Sequence, residues 1–419
     1  MYIDSISLRN FRTFRRAEIQ FVHQQQRFAD LDFPRLPALS NVNLLLGDNG
    51  YGKTAMLKAI ALACLGPAVR DSGIYAYRLI RREPGSREDH NPKRQSSDEA
   101  LIEAFFTPHP QDRVPSGIRR VESRISIKRR GDLEQMEWSH PDDKNWHPIY
   151  SSTSDAFFLV GYGASRTVQR QDRANPTALQ GSAFARAQRV KSLFEEEYPL
   201  VPLESWLPNW VARNKGRYTQ VVDLINRTVG DHHYHFTGSM EDGEYVYEHK
   251  GLRVPFRALS DGNRAFLGWV GDLLYHVCTT CPTGKKLVEN TGIVLVDEID
   301  LHIHPRWQMT VLPTLARALP NIQFIVTSHS PLIVGSLEWM NIIVMAPGQA
   351  SSTTPRRFAS AVHGLDADQV LLTQFFGLAS TRVDSKNRRL KELTLKAREG
   401  DREAARRLLS EMSHGTESE

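Results

Sequence analysis

Three cysteines in 419 residues leave no disulfide framework to hold the chain together. With Cys64 standing alone, they fit a reducing compartment. Cys278 and Cys281 form a single C-x-x-C, with no second pair and no histidine set at zinc spacing. That is a weak signal for metal or redox chemistry beside the plainer reading of ordinary thiols. No run of about 18 apolar residues is present, which excludes an ordinary membrane-spanning helix. The opening Met1-Tyr2-Ile3-Asp4 does not begin an apolar signal core. The expectation is a soluble protein of the cytoplasm with no membrane partner. Neither sign of charge dominates: 53 Lys and Arg stand against 48 Asp and Glu, for a formal charge of +5. The mild basic excess leans toward an acidic partner such as DNA without establishing one. No long heptad-bearing stretch interrupts the chain, so a coiled-coil tether is excluded. The length suffices for two or three domain-sized units.

What the chain does have is Leu44-Leu45-Leu46-Gly47-Asp48-Asn49-Gly50-Tyr51-Gly52-Lys53-Thr54, followed by the helix-forming run Ala55 to Ala63. It fits G-x-x-x-x-G-K-[ST] at every fixed position, between a buried strand and a helix. The spacing suits a polyphosphate. Backbone N–H groups from Asn49 to Thr54 wrap the anion, glycine at 50 and 52 lets the backbone turn closely, and the helix N-terminus faces the charge. Lys53 is placed to reach the β- and γ-phosphates of ATP, and the Thr54 hydroxyl to ligate Mg²⁺.

Around this loop the chain reads as an α/β protein. Residues Met1 to Phe21 alternate well enough for two strands, Tyr2–Leu8 and Ala17–Phe21, joined through Arg9-Asn10-Phe11-Arg12 as an antiparallel flap. Arg9 and Arg12 stand open to two readings, contact with nucleotide or DNA phosphate and simple solvation. His23 to Ala38 reads as a surface loop. So does the arginine-bearing stretch from Pro67 to Ser97, with Arg70, Arg78, Arg81, Arg82, Arg87, Lys93 and Arg94. Strands are expected at Ala100–Phe106, Val121–Lys128 and Gln135–Ser139, and in Phe157 to Val160 before a glycine-marked turn at Gly161 to Arg166. The signal then turns helical from Ala183 to Val229, with Trp206 and Trp210 as core residues of a small subdomain, before a β return at Tyr234–Phe236 and Tyr245–His249.

Three downstream motifs complete the set. Leu259-Ser260-Asp261-Gly262-Asn263 opens an apolar helix and offers a second anion-binding helix start. Gly292 to Val296 is a β-branched run delivering Asp297 and Glu298 to a strand end, where Asp297 can hold Mg²⁺ and Glu298 can orient and deprotonate water. Ile322 to Ser328 is another buried strand, ending in His329 at the position of a γ-phosphate sensor. Asp300, His302 and His304 allow a metal reading, but a shaped turn at a subunit contact accounts for them better. The tail carries apolar Val370 to Leu372 and Phe375 to Leu378. Helices around Asn387–Arg398 and Arg402–Met412, turned at Gly400-Asp401, follow them as a docking hairpin or a cap on the core.

The ordered set Gly47–Thr54, Leu259-Ser260-x-Gly262, Val294–Glu298 with Asp300, and Thr327–His329 resembles the ABC-type ATPases of the RecF, SMC and OLD group. The opening Ile6-x-Leu8-Arg9-Asn10-Phe11-Arg12 and Leu301-His302-Ile303-His304-Pro305 look similar to the soluble members. The resemblance implies a P-loop NTPase head with a mixed sheet, an antiparallel β flap, an inserted helical subdomain and a C-terminal helical extension. The corresponding boundaries are 1–170 for lobe I, 171–250 for the helical subdomain and β return, 251–348 for lobe II and 349–419 for the extension. It implies an ATPase that uses ATP and Mg²⁺ and forms a homodimer or higher oligomer. In it, Ser260 and Gly262 of one copy complete the γ-phosphate site built on Lys53 of the other, with Glu298 and His329 catalytic and Thr54 and Asp297 holding the metal. Asn263 departs from the usual Gln or Glu, and Tyr162–Arg166 lacks the glutamine of the sensing loop. No second acidic cluster follows residue 348, so the nuclease domain fused in OLD proteins is not expected. The chain looks similar to stand-alone ATPases of bacterial anti-phage systems, such as the Septu ATPase, which act with a separately encoded effector. A RecF-like DNA-repair ATPase and a scaffold with negligible hydrolysis are the alternatives.

Overall fold

A computed structural model of the chain describes residues 1–26, 31, 33–69, 72–82, 98–109, 117–131, 133–138, 149, 158–168, 184–196, 198–229, 234–349, 351–381, 384–398 and 401–413. Arg70, Arg87, Lys93, Arg94 and Gly400 lie outside the described residues. In chain order the strands are β1 (Tyr2–Phe11), β2 (Phe14–Gln20), β3 (Val42–Leu46), β4 (Glu99–Thr107), β5 (Val121–Arg130), β6 (Leu133–Trp138), β7 (Leu159–Tyr162) and β8 (Thr167–Val168). They continue with β9 (Pro199–Leu200), β10 (Tyr234–Glu241), β11 (Glu244–His249), β12 (Leu252–Pro255), β13 (Gly292–Val296), β14 (Ile322–Ser328), β15 (Ile342–Pro347) and β16 (Thr353–Arg356).

Two sheets carry the architecture. A six-stranded mixed sheet has the order β16-β15-β3-β14-β13-β7, parallel except for the edge strand β16. Its middle strands β3, β13 and β14 are buried at every residue, as continuous apolar runs in a sheet covered on both faces must be. The second sheet, β2-β1-β4-β5-β6, is antiparallel and is the expected flap. The helix Lys53–Leu65 buries ten of its thirteen residues, leaving Thr54, Ala55 and Lys58 near its start less than fully buried. Its apolar side chains share one cluster with Ile6, Leu8 and Ile102 of the flap and with Leu45, Leu295 and Ile325 of the mixed sheet. The fold class is thus the expected α/β head with mixed sheet and β flap.

Local differences have local causes. The first two strands run to Phe11 and restart at Phe14, closer together than their polar connection suggests, because both phenylalanines are fully buried and pair across the turn. The helical stretch is broken into Phe184–Gln188, Leu203–Trp206, Pro208–Arg213 and Lys215–Val229. Pro202 stands just before the second piece and Pro208 opens the third. Trp206 is buried there and Trp210 only partly. The mixed sheet runs on past residue 348, since β16 pairs with β15. Residues Leu365–Glu419 cluster as a unit of their own, with helices Ala367–Leu371, Asp384–Arg398 and Arg402–Ser413. Among the described residues no helix is long and apolar enough to cross a membrane.

Two buried amides join flap to mixed sheet. Gln323 on β14 accepts from the Ile3 N–H at 2.9 Å and donates to the carbonyls of Ile3 and Val22 at 3.0 and 3.1 Å. Asn43 on β3 accepts from Val22 N–H at 2.8 Å and returns a bond to its carbonyl at 2.9 Å. Both side chains are wholly inaccessible to water. Removing one strands backbone groups in an apolar seam, which costs about 1–3 kcal/mol for each group left unpaired. Gln323→Leu is expected to destabilise the fold by about 3 kcal/mol in chemical denaturation, against under about 1 kcal/mol for the exposed Gln20→Leu.

Candidate functional site

The loop after β3 turns on glycines whose geometry no other residue meets easily. Gly47 has φ +149°, and a Cβ there would stand 2.7 Å from the Met345 carbonyl oxygen. Gly52 has φ +79°, and its Cβ would meet the Thr13 hydroxyl at 2.3 Å. At Gly50, φ +86°, nothing lies within 4 Å, so the loop rim opens onto free space. The helix starts at Lys53 without a side-chain cap, leaving its first N–H groups aimed at that space. Lys53 curls back across the loop, its Nζ donating to the carbonyls of Gly47 at 2.7 Å and Asp48 at 3.1 Å. Burial holds its ammonium below the ordinary lysine range, opposed by the charges of Asp297 and Glu298.

Opposite the loop, β13 leads into Asp297, whose carboxylate is held between two hydroxyls. Thr54 donates to Oδ2 and Thr327 to Oδ1, each at 2.6 Å. Thr327 also accepts the N–H of Glu298 at 2.7 Å. Glu298 is thereby fixed at φ +47°, a left-handed backbone uncommon for a non-glycine residue, and its side chain turns into the cleft. Arg166, after β7, donates to the carbonyls of Asp297 at 2.5 Å and Glu298 at 2.8 Å. Burial lowers its guanidinium to about 10 despite the neighbouring acids. Even so it stays cationic at neutral pH.

A cleft of ≈ 260 Å³ gathers Asn49, Gly50, Gly52, Lys53, Thr54 and Glu298 beside Arg12, Thr13, Ala55 and Lys58. Asp297 borders it through Thr54. Tyr51 contributes its backbone to the loop while its ring packs against the core. His329 follows β14 without lining the cleft, and its Nε2 is buried with no hydrogen-bond partner. Ser260 and Gly262 do not reach the cleft of their own chain. Ser260 is exposed and caps the helix Asp261–Thr280, accepting from Asn263 N–H at 3.4 Å, and Gly262 lies against the His302 carbonyl, 2.4 Å from where a Cβ would sit. Among the described residues no group of three or more Asp, Glu, His or Cys side chains could hold a metal. His304 instead caps a helix start by accepting the Arg306 N–H at 3.2 Å.

The donor set suits a magnesium nucleotide. An anion in the loop finds N–H groups and the Lys53 amine, and a divalent ion finds the hard oxygens of Thr54 and Asp297 side by side. The unpartnered His329 Nε2 is the kind of buried polar atom that a ligand satisfies. Thr327 belongs to the Thr327–His329 motif, whereas Arg166, at the end of a glycine-marked turn, carries no motif of its own. A basic residue after a buried strand gives no warning that it will bind the backbone of an acid 131 positions later.

The sequence profile described as "AAA domain, putative AbiEii toxin, Type IV TA system" matches residues 42–335. The Septu protein PtuA of Bacillus mycoides (strain KBAB4) is 24% identical over 388 residues, covering 91% of this chain and 46% of that protein. The retron Ec83 probable ATPase of Escherichia coli is 41% identical over 106 residues, 25% of this chain and 20% of that one. The chain thus spans less than half the length of these relatives. Among solved structures, an Smc head bound to the C-winged helix domain of ScpA aligns at a TM-score of 0.49 and 15% identity, over 85% of this chain and 98% of that one.

Thr327→Val keeps the shape and removes the hydroxyl that serves both acids. Urea unfolding is expected to show a loss of about 2 kcal/mol, since a buried carboxylate oxygen and the Glu298 N–H lose their partner together.

Proposed function

The chain belongs to the AAA-domain family described as a putative AbiEii toxin of type IV toxin–antitoxin systems, and from that premise we propose that it is the ATP-hydrolysing head of an anti-phage defence system. The observation that carries the reading is the Asp297 carboxylate held at 2.6 Å from Thr54 of the phosphate loop, with Glu298 turned into the same cleft. The names of the Septu and retron relatives support the defence role. ATP lies with its phosphates in the loop Asn49–Thr54, and Lys53 exchanges its loop carbonyls for phosphate oxygens. Thr54 and Asp297 would hold a Mg²⁺, which would supply positive charge against the phosphates. Glu298 orients a water and takes its proton, the water oxygen bonds to the γ-phosphorus, and ADP departs with the former bridging oxygen. His329 donates to a γ-phosphate oxygen.

The exposed Ser260 and its absence from the lining of its own cleft favour completion of the site by a second copy. Closure of two heads on ATP and their release on hydrolysis then form a switch, read out by a separately encoded effector. DNA is a second reading for the trigger, favoured by Tyr75 and Tyr77, 90% and 66% exposed beside Arg78.

Glu298→Gln is expected to lower phosphate release at least about 100-fold while fluorescent ATP binds within about twofold of the parent, and light scattering with ATP should show a persistent dimer. Unchanged hydrolysis would remove Glu298 from the mechanism. For DNA, Tyr75→Ala/Tyr77→Ala is expected to weaken single-strand binding at least about tenfold in fluorescence anisotropy, and a salt-independent signal would exclude that trigger.

A further inference from the structure

The helix that begins at Ser260 carries a wholly buried acid, Asp272, three turns in. Its Oδ2 accepts the Tyr162 hydroxyl at 2.7 Å and faces His276 Nε2 at 3.3 Å, and its Oδ1 accepts the Val201 N–H at 2.8 Å. Tyr162 is the last residue of β7, and its own carbonyl accepts the Asp297 N–H at 2.8 Å. A second route runs beside the first. Trp269, one turn nearer Ser260 than Asp272, packs its ring 5.7 Å from that of Tyr162, and the Arg166 guanidinium lies 5.9 Å from the Trp269 ring. Arg166 in turn holds the carbonyls of both Asp297 and Glu298.

We propose that Asp272, Tyr162 and Trp269 are positioning residues that tie the orientation of the Ser260 helix to the geometry of Asp297 and Glu298. The inference rests on the proposed function and deepens it. In a head pair, Ser260 meets the ATP of the partner copy, whereas Asp297 and Glu298 serve the chain's own ATP. Displacement of the helix by one nucleotide is therefore delivered to the acids working on the other. The bond is costly to break, because it would leave the buried Tyr162 hydroxyl without its partner. It therefore moves as a unit. Burial and the Asp272 charge also push the Tyr162 hydroxyl far above its ordinary range, so it remains a donor at every working pH.

The test pairs Tyr162→Phe with Asp272→Asn, changes of one atom or near-identical shape. Each is expected to lower kcat about tenfold, keep the dissociation constant of a fluorescent ATP analogue within about twofold, and reduce the Hill coefficient for ATP toward 1. The double variant should be no worse than the weaker single, as members of one network behave. Amide exchange over residues 292–300 should quicken in Asp272→Asn while that over 322–328 stays at the parent rate, a readout that needs no hydrolysis. Parental exchange over 292–300, or losses that multiply in the double variant, would overturn the proposal. A parent that hydrolyses no ATP yet shows the local exchange change would defeat the ATPase reading and leave the structural tie standing.

Discussion

A carboxylate suspended between two threonine hydroxyls is the constraint from which the rest of this site follows. Asp297 touches the phosphate loop through Thr54 and the neighbouring strand through Thr327, so three segments separated by up to 273 positions meet on two oxygens. Asp297 and Thr327 stand at the carboxyl ends of buried parallel strands and Thr54 opens the helix that follows a third, so all three gather at one edge of the sheet. The edge geometry is therefore enforced by β-sheet hydrogen bonding before any ligand arrives. The acids need no induced fold to find each other.

The flap stabilises this arrangement from the other side. By burying most of the loop helix, the two sheets fix the direction of its N-terminus, and Gly52 lets the chain pass Thr13 and Phe14 without collision. Buried amides at Asn43 and Gln323 then set the register between the sheets, which apolar packing alone specifies poorly.

Much of this was legible in the residues. The phosphate loop, Asp297 and Glu298 announce themselves because their chemistry demands fixed residue types at fixed spacing beside strands of continuous apolar character. The flap was legible from alternation. Its strand ends were not, because Phe11 and Phe14 are separated by polar Arg12-Thr13 and pair only once the turn brings them together. Arg166 and Asp272 were invisible for a related reason. Their roles depend on partners 110 or more positions away, and nothing in a local window distinguishes a buried arginine bound to carbonyls from a solvated one. Ser260 was legible as a helix cap, and that is how the single chain holds it.

The Ile3–Gln323 bonds have a consequence for synthesis. The first strand is made while the Gln323 side chain that binds the Ile3 backbone is still 320 residues from synthesis. At about 5–20 residues per second, that gap lasts roughly 15–60 seconds. Local pairing with β2 and β4 can shelter the strand's edges in that interval, and Asn43 can satisfy Val22, but the Gln323 bonds to Ile3 must wait for β14. A nascent chain halted anywhere before residue 323 therefore displays an unfinished seam, and quality-control proteases would meet it as an open end.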